Sequence, residues 1–248
     1  MLAFRNGMLF ARRISAKQLV YSEYGDPAKI VKLETVDLPD TPPAGYVHVK
    51  WLAAPINPAD LNMIQGVYPI KPPLPAVGGN EGYGRVEKVG AGVKNVKVGD
   101  HVLPAKAGQG IWRSDGHHKE DEVFPIDKDL PQEASATLQV NPPTAYRMLK
   151  DFVDLKPGDT IIQNGANSAI PTGPLIFKDI RLAGYWMSRW YEQPGNTEDR
   201  KRMYAELGAW MKSGEFRTPS FEKRRLEDHA AALEAASVQF DKKQLFVL

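Results

Sequence analysis

The sequence predicts a mixed α/β fold in which an irregular β-barrel comes first and a shorter α/β segment follows. Two observations predict this order. Short apolar segments separated by Gly and Pro fill residues 19–104, a pattern typical of small barrels. The apolar period then changes at Asn141, where Asn-Pro-Pro opens a helical stripe. We therefore expect two different architectures along one chain.

Alternating apolar residues and intervening turns predict the strands of the barrel. A Gly-Asp-Pro turn at 25–27 separates two short strands, and the clearest alternation follows at residues 46–54. The remaining strands are separated by glycines. The predicted short strands are residues 19–21, 30–33, 86–89, 93–98 and 101–104.

The second half of the chain predicts helices with two further strands. The helix from Asn141 places Tyr146, Leu149 and Val153 on one face. A strand at 159–164 follows the Lys-Pro-Gly turn, and residues 181–188 are typical of a strand that ends in a functional loop. The predicted C-terminal elements are a helix at 197–212 stopped by Gly214, an Ala-rich helix at 226–236 and a strand at 243–248.

Composition excludes several classes of protein. The chain has 248 residues, of which 42% are apolar and 25% charged, as in ordinary globular proteins. It contains no cysteine, which excludes disulfides and thiolate metal sites. No apolar run approaches the roughly 18 residues that a membrane-spanning helix needs. We therefore expect no membrane span.

The positive charge is concentrated at the N-terminus. Residues 1–22 contain four basic and no acidic side chains, whereas the remainder contains 28 basic and 30 acidic residues. A near-neutral body has no footprint for nucleic acid. The Arg-containing, acid-free start predicts a mitochondrial transit peptide over residues 1–18. The alternative is an unstructured basic tail.

Two neighbouring segments indicate a family. Residues 54–69 read Ala-Pro-Ile-Asn-Pro-Ala-Asp-Leu-Asn-Met-Ile-Gln-Gly-Val-Tyr-Pro, and residues 75–84 read Pro-Ala-Val-Gly-Gly-Asn-Glu-Gly-Tyr-Gly. They resemble the medium-chain dehydrogenase/reductase superfamily, and most closely its mitochondrial trans-2-enoyl-thioester reductases. The resemblance extends from about residue 19 to residue 248. It implies a GroES-like β-barrel substrate domain at 19–143, a truncated Rossmann-type nucleotide-binding domain at 144–190, and C-terminal helices and a strand at 191–248 that return to the catalytic domain.

The same resemblance assigns the candidate site residues. It makes Tyr68 the proton donor, and a phenol stays protonated at neutral pH, as a general acid must. The alternative is an ordinary half-buried aromatic. Asn57 and Asn62 are possible polar partners. The implied cofactor is NADPH, and the positions matching cofactor contacts are Asn141, Asn167, Ser168, Ala169, Ile170, Tyr185, Trp186, Met187, Ser188 and Lys243.

The residues present argue against a metal. In zinc-containing relatives a His stands where this chain has Asn80, and a Cys ligand lies in the segment that contains Asp60. The pair His117-His118 is followed by acidic residues, but adjacent histidines cannot easily bind one ion, so we expect a solvated polar loop there.

The chain departs from the family pattern after Ile170. Pro-Thr-Gly-Pro follows directly, and roughly a hundred residues of the nucleotide-binding domain are missing, since such a domain needs about six strands. A splice product or deletion is the simplest account, and a misassembled gene model is the alternative.

The implied function is NADPH-dependent reduction of trans-2-enoyl thioesters, carried on acyl carrier protein or CoA, in matrix fatty-acid synthesis by a possible homodimer. The alternative is a catalytically defective isoform that keeps the substrate-domain fold and a binding role.

Overall fold

The computed structural model describes residues 12–161, 183–239 and 241–248. No helix in these ranges is long and apolar enough to cross a bilayer. The helices are α1 (Pro27–Ile30), α2 (Pro58–Ile64), α3 (Gln132–Ala136), α4 (Asn141–Asp151), α5 (Met187–Tyr191), α6 (Thr197–Ser213) and α7 (His229–Val238), with 3₁₀ turns at Glu120–Glu122 and Leu226–Asp228. The strands are β1 (Arg13–Tyr21), β2 (Lys32–Pro39), β3 (Tyr46–Pro55), β4 (Ala76–Val77), β5 (Tyr83–Val89), β6 (His101–Pro104), β7 (Asp115–Lys119), β8 (Val123–Ile126), β9 (Phe221–Arg224) and β10 (Lys243–Val247).

The described strands form two sheets. The smaller sheet has the order β2-β1-β4, and β1 pairs with β2 along almost its whole length. The larger sheet has the order β8-β6-β5-β3-β10-β9, with β7 paired to the first half of β3. Strand β10 pairs antiparallel with the end of β3 and parallel with β9. The C-terminal strand therefore lies in the same sheet as strands from the first half of the chain.

The glycine run before β5 allows a tryptophan to pack against the backbone. A Cβ added at Gly78 would lie 2.5 Å from Cε3 of Trp112, and Gly79 has φ +94° with Trp112 equally close. Trp112 is completely buried, and its Nε1 donates to the carbonyl of Pro55 at 3.1 Å. The backbone at these glycines therefore approaches the indole ring closely.

Two apolar clusters make the core. The first lies inside the barrel and contains Trp51, Trp112 and Phe246. The second joins the barrel to the C-terminal helices, because Leu103 of β6 packs in the same cluster as Met203 of α6. Helices α5 and α6 are thereby held against the barrel, and the candidate site lies near this junction.

Helix α4 and the segment after it leave apolar side chains in solvent. Helix α4 begins at the predicted position, but its predicted apolar stripe is only partly covered. Apolar surface therefore remains uncovered in this part of the described structure. The exposed large side chains here are Met148, Leu149, Phe152, Val153, Leu155, Ile161 and Trp186.

Three predicted strands are wrong in the described residues. Residues 93–98 form turns and irregular backbone, because alternation in a short segment does not guarantee a pairing partner. Residues 159–161, the described start of the predicted strand 159–164, are also irregular. In the predicted strand 181–188, residues 183–186 are irregular and α5 begins at Met187.

The predicted leader overlaps the barrel. Strand β1 begins at Arg13, so residues 13–18 of the predicted 1–18 leader pair with β2, and Ala16 is completely buried. The basic composition indicates a leader but does not show where it ends. The pairing of β1 with β2, about 20 residues later in the chain, shows where the folded structure begins. Residues 1–11 lie outside the described ranges.

The predicted polar loop at His117-His118 is also wrong. Both residues lie in β7, paired with β3. His118 accepts a hydrogen bond from Trp51 Nε1 at 3.1 Å. Burial lowers the pKa of His118 to about 3, so the ring is neutral in the folded protein.

Candidate active site

Tyr68 is held at the mouth of a pocket by the turn that follows α2. Gly66 adopts φ +77°, which reverses the chain after the helix. The backbone N–H of Tyr68 then donates to the carbonyl of Asn62 at 3.2 Å. The side chain of Asn62 is exposed, so this residue supports Tyr68 through its backbone rather than as the predicted polar partner.

Trp186 contacts the hydroxyl of Tyr68 although 118 residues separate them. Its Nε1 donates to Tyr68 Oη at 3.0 Å, and the two rings meet edge to face at 6.3 Å between centroids. Because an indole N–H can only donate, the phenol oxygen is the acceptor in this bond. Among the described residues this hydroxyl has no hydrogen-bond acceptor, so its hydrogen is free to be donated to another group.

The cavity beside Tyr68 has a volume of about 40 Å³, room for one small group rather than the roughly 300–1,000 Å³ of a typical small-molecule site. Its wall combines apolar side chains with amides and hydroxyls. The lining residues are Asn57, Ala59, Tyr68, Asn80, Ala107, Gln139, Val140, Met187, Ser188 and Tyr191.

The structure places the predicted cofactor residues in different positions relative to the pocket. Met187 and Ser188 line the pocket, and Trp186 contacts Tyr68. Tyr185 lies beside the pocket lining, where its hydroxyl donates to Met187 Sδ at 3.1 Å and burial raises its pKa to about 12. Asn141 is exposed at the first position of α4 and does not line the pocket. Residues 167–170 lie outside the described ranges.

Lys243 and Glu81 form a buried polar network behind the pocket. Lys243 Nζ donates to Asn57 Oδ1 at 2.5 Å, and Asn57 Nδ2 donates to Glu81 Oε2 at 2.8 Å. Glu81 Oε1 accepts from the backbone N–H groups of Gln139 and Val140, both at 2.8 Å. Burial raises the pKa of Glu81, and the nearby Lys243 cation opposes the increase. Lys243 therefore acts here through Asn57, rather than as a solvated charge.

Asp60 and Asn80, the positions compared with zinc ligands, bind each other. Asp60 Oδ1 accepts from the backbone N–H and from Nδ2 of Asn80, at 2.8 and 2.7 Å. Its Oδ2 accepts from the backbone N–H of Asn57 at 2.7 Å, and burial raises the pKa of Asp60 to about 7. In the part of the chain that the structure describes, no group of three or more metal-ligating side chains occurs.

Arg200 ties helix α6 to the pocket wall. Its guanidinium lies 4.1 Å from the ring centroid of Phe124 and 4.3 Å from that of Tyr191. It also donates to the carbonyl of Ala105 at 3.0 Å. The Tyr191 hydroxyl in turn donates to the carbonyl of Gln139 at 2.7 Å. The wall on this side is thus held by hydrogen bonds and cation–π contacts.

Sequence reasoning missed four residues of the site: Glu81, Gln139, Tyr191 and Arg200. A charged residue inside Gly-Gly-Asn-Glu-Gly between apolar segments was a usable signal for Glu81, since such a carboxylate is buried only with partners. The other three carry no local signal, because their contacts come from distant parts of the chain.

Sequence comparison establishes the family. The mitochondrial enoyl-[acyl-carrier-protein] reductase of Caenorhabditis elegans is 44% identical over an alignment of 331 positions, which covers 96% of this chain and 96% of the relative. This chain belongs to the family of mitochondrial enoyl-[acyl-carrier-protein] reductases. The family predicted from the sequence is confirmed.

Other relatives match a shorter part. The Bos taurus reductase of the same name is 54% identical over 154 residues, which is 62% of this chain and 41% of that relative. The chain thus spans less than half of that relative in the match. The family profile described as "Alcohol dehydrogenase GroES-like domain" matches residues 43–126.

Solved structures show the same fold. A complex of Etr1p with NADP and crotonyl-CoA has a TM-score of 0.83 at 21% identity and covers 95% of this chain and 100% of its own. The mitochondrial 2-enoyl thioester reductase Etr1p/Etr2p heterodimer from Candida tropicalis has a TM-score of 0.82, also at 21% identity, with the same coverage. The predicted fold class, a GroES-like barrel with a truncated Rossmann-type domain, is confirmed.

The alignment with the Caenorhabditis elegans relative also shows how much is missing. It has 331 positions, whereas 96% of this 248-residue chain is about 238 residues. At least about 93 positions, the difference, therefore contain no residue of this chain. This agrees with the predicted loss of roughly a hundred residues, since a Rossmann-type domain has about six strands. Within the described residues between α4 and α5 no strand occurs.

Proposed function

We propose that this chain binds trans-2-enoyl thioesters beside Tyr68 and reduces their α,β double bond with NADPH. The observation that carries the proposal is the Trp186–Tyr68 hydrogen bond, which leaves the phenol hydrogen available for donation. Family membership supports the same reaction, because the relatives are named enoyl-[acyl-carrier-protein] reductases. The wall beside Tyr68 combines apolar side chains with amides and hydroxyls, as small-molecule sites do.

The chemistry divides between cofactor and chain. Bound NADPH would supply the hydride that adds to the β carbon. Tyr68 gives its hydroxyl proton to the α carbon, and the phenol oxygen keeps the electron pair. The indole N–H of Trp186 already points at that oxygen, so it stabilises the negative charge that develops there. Val140 and Met187 contribute apolar walls that exclude water from the reacting carbons.

The described residues fit the reactive end of the cofactor. The pocket is lined by Gln139, whose buried amide oxygen has no partner among the described residues, as expected where a polar ligand binds. Trp186, Met187 and Ser188 would hold the nicotinamide end. Residues 167–170, which lie outside the described ranges, are proposed to hold the phosphates.

Tyr68→Phe tests the role of the phenol. This variant keeps the ring and its edge-to-face contact but removes the proton, so the rate of NADPH oxidation with crotonyl-CoA should fall about 10²-fold or more. Tyr24→Phe, which removes another hydroxyl near the same turn, is the control and should keep the wild-type rate. An unchanged kcat for Tyr68→Phe would remove Tyr68 from the mechanism.

A second candidate function is thioester binding without turnover. It is favoured by the missing alignment positions and by the exposed apolar residues of α4. Titrating NADPH fluorescence with the purified chain separates the two functions. Saturable NADPH binding supports the reductase, whereas crotonyl-CoA binding without NADPH binding supports the second candidate.

Location and partners follow the family. We propose that the chain acts in mitochondria, where its relatives are named, on thioesters of acyl carrier protein or CoA, and as a homodimer. The leader is proposed to end before β1, because β1 is part of the barrel. Residues 1–12 fused to a fluorescent protein should be imported into mitochondria. If this fusion stays in the cytosol while a matrix-targeted positive control is imported, the proposed leader is contradicted.

A further inference from the structure

One amide in the Tyr68 pocket differs from the other two. Asn57, Asn80 and Gln139 all line this pocket. Asn57 is hydrogen bonded through both Oδ1 and Nδ2, and Asn80 through Oδ1 and Nδ2 as well. Gln139 Oε1 is buried and has no hydrogen-bond partner among the described residues. The pocket therefore contains one amide whose side-chain carbonyl the protein leaves unpaired.

The backbone holds Gln139 in place from both sides. Its N–H donates to Glu81 Oε1 at 2.8 Å, and its carbonyl accepts from the Tyr191 hydroxyl at 2.7 Å. Only 2% of the residue is exposed. A buried carbonyl without a donor is unfavourable. A ligand bound in the pocket that Gln139 lines would remove this cost by providing the donor.

We propose that Gln139 is a specificity-determining residue whose side-chain carbonyl accepts a hydrogen bond from an amide N–H of the bound ligand. The inference rests on the proposed function. Both ligands of the proposed reaction offer such a group: the carboxamide of nicotinamide and the amides of the pantetheine arm. The acyl chain and the thioester have no N–H or O–H donor, so they cannot pair with this carbonyl.

Calorimetric titrations of the full chain with four compounds test the assignment. NADPH is compared with its 3-acetylpyridine analogue, which lacks the carboxamide N–H. Crotonyl-CoA is compared with a crotonyl thioester that has no amide in its thiol part. Each compound is titrated into wild type, into Gln139→Met, which keeps the length of the side chain without its amide, and into Gln65→Met, an exposed control.

Gln139→Met should weaken the binding of one of the two amide-bearing compounds about tenfold. This is the effect of losing one neutral hydrogen bond of about 1.4 kcal/mol. Its amide-free partner should bind the variant and wild type equally. The affected pair identifies the source of the N–H. Equal losses of affinity for both members of a pair would show that the substitution changes the shape of the pocket, and would overturn the inference. Unchanged binding of all four compounds would overturn it as well.

Stability of the ligand-free chain provides a second readout. Because the amide is unpaired in the protein, Gln139→Met should melt at the same temperature as wild type or about 2–4 °C higher. A lower melting temperature would show that the protein itself satisfies the amide, and would overturn the inference. If wild type binds neither NADPH nor crotonyl-CoA, the proposed function fails and this inference fails with it. If wild type binds and the variant matches it, only the inference fails.

Discussion

The barrel and the segment from α4 to residue 161 are stabilised by different kinds of contact. In the barrel, Trp51 and Trp112 are completely buried and both indole N–H groups are hydrogen bonded. In α4, Leu149 and Phe152 remain more than 40% exposed. The helix is attached to α6 through an ion pair between Lys150 and Glu206 whose side chains are about half exposed. Exposed pairs of this kind contribute little stability.

The difference shows which region can do without the missing segment. In the barrel, β10 pairs with β3 and a core of its own is buried, so this region does not need the absent residues. Helix α4 has lost the elements against which its apolar stripe would pack. Tyr68 therefore lies in the region with the buried core, whereas Trp186, which contacts it, lies directly after the incomplete one.

Matched truncations measure this contrast. Trp112→Ala leaves a large cavity in the barrel and should reduce the free energy of unfolding by about 3–5 kcal/mol. Phe152→Ala removes a partly exposed ring and should change it by less than about 0.5 kcal/mol. Urea denaturation followed by circular dichroism gives both values. Similar losses at the two positions would mean that the α4 segment is as well packed as the barrel.

Completing the nucleotide-binding region should remove the contrast. Inserting the absent segment of the Caenorhabditis elegans relative after Ile170 should tighten NADPH binding about 100-fold or more, because the phosphate-binding turn regains its helix. Binding of an apolar fluorescent dye should fall at the same time, since the α4 stripe becomes covered. The same insert with reversed sequence is the control. Tight NADPH binding by the 248-residue chain itself would contradict this expectation.

The pH dependence of stability should report on the barrel. His118 has a pKa of about 3 in the folded protein and an ordinary value near 6.5 when unfolded. The contribution of neutral His118 to the free energy of unfolding is thus complete above pH 6.5. It is lost as the pH falls, because only the unfolded state takes up the proton.

Between pH 6.5 and 5 this loss is about 2 kcal/mol, at about 1.4 kcal/mol per pH unit. In His118→Gln, which keeps an acceptor for Trp51, the loss should be absent. Subtracting the two curves cancels the opposite contribution of Asp60, whose raised pKa of about 7 favours the folded state at low pH. Parallel curves for wild type and variant would contradict the assignment to His118.

Much of the fold was predictable because its signals are local. Alternation identified β3, β5 and β6, and the apolar stripe ending at Gly214 identified α6 with its left-handed C-cap. The wrong strands at 93–98 and 159–161 show the limit of this reasoning. A short apolar segment forms a strand only when another strand is available beside it, and that is not encoded in its own residues.

The candidate site residues likewise divide into those predicted from local sequence and those that depend on distant contacts. Tyr68 was singled out from the sequence as the candidate proton donor, because the motif around it is continuous and resembles the family. The predicted set of cofactor contacts was only partly brought together, since Met187 and Ser188 reach the pocket and Asn141 does not.

By itself the sequence determined the family and most of the barrel strands and singled out Tyr68 as a candidate, because each depends on neighbouring residues. Only the tertiary structure decided that Trp186 donates to the phenol, that Glu81 binds the 139–140 backbone and that Gln139 is left unpaired. The partners in these contacts are 118 and 58 residues apart. Hydrogen bonds over such separations depend on how sheets and helices pack, and packing is a property of the whole chain rather than of any segment.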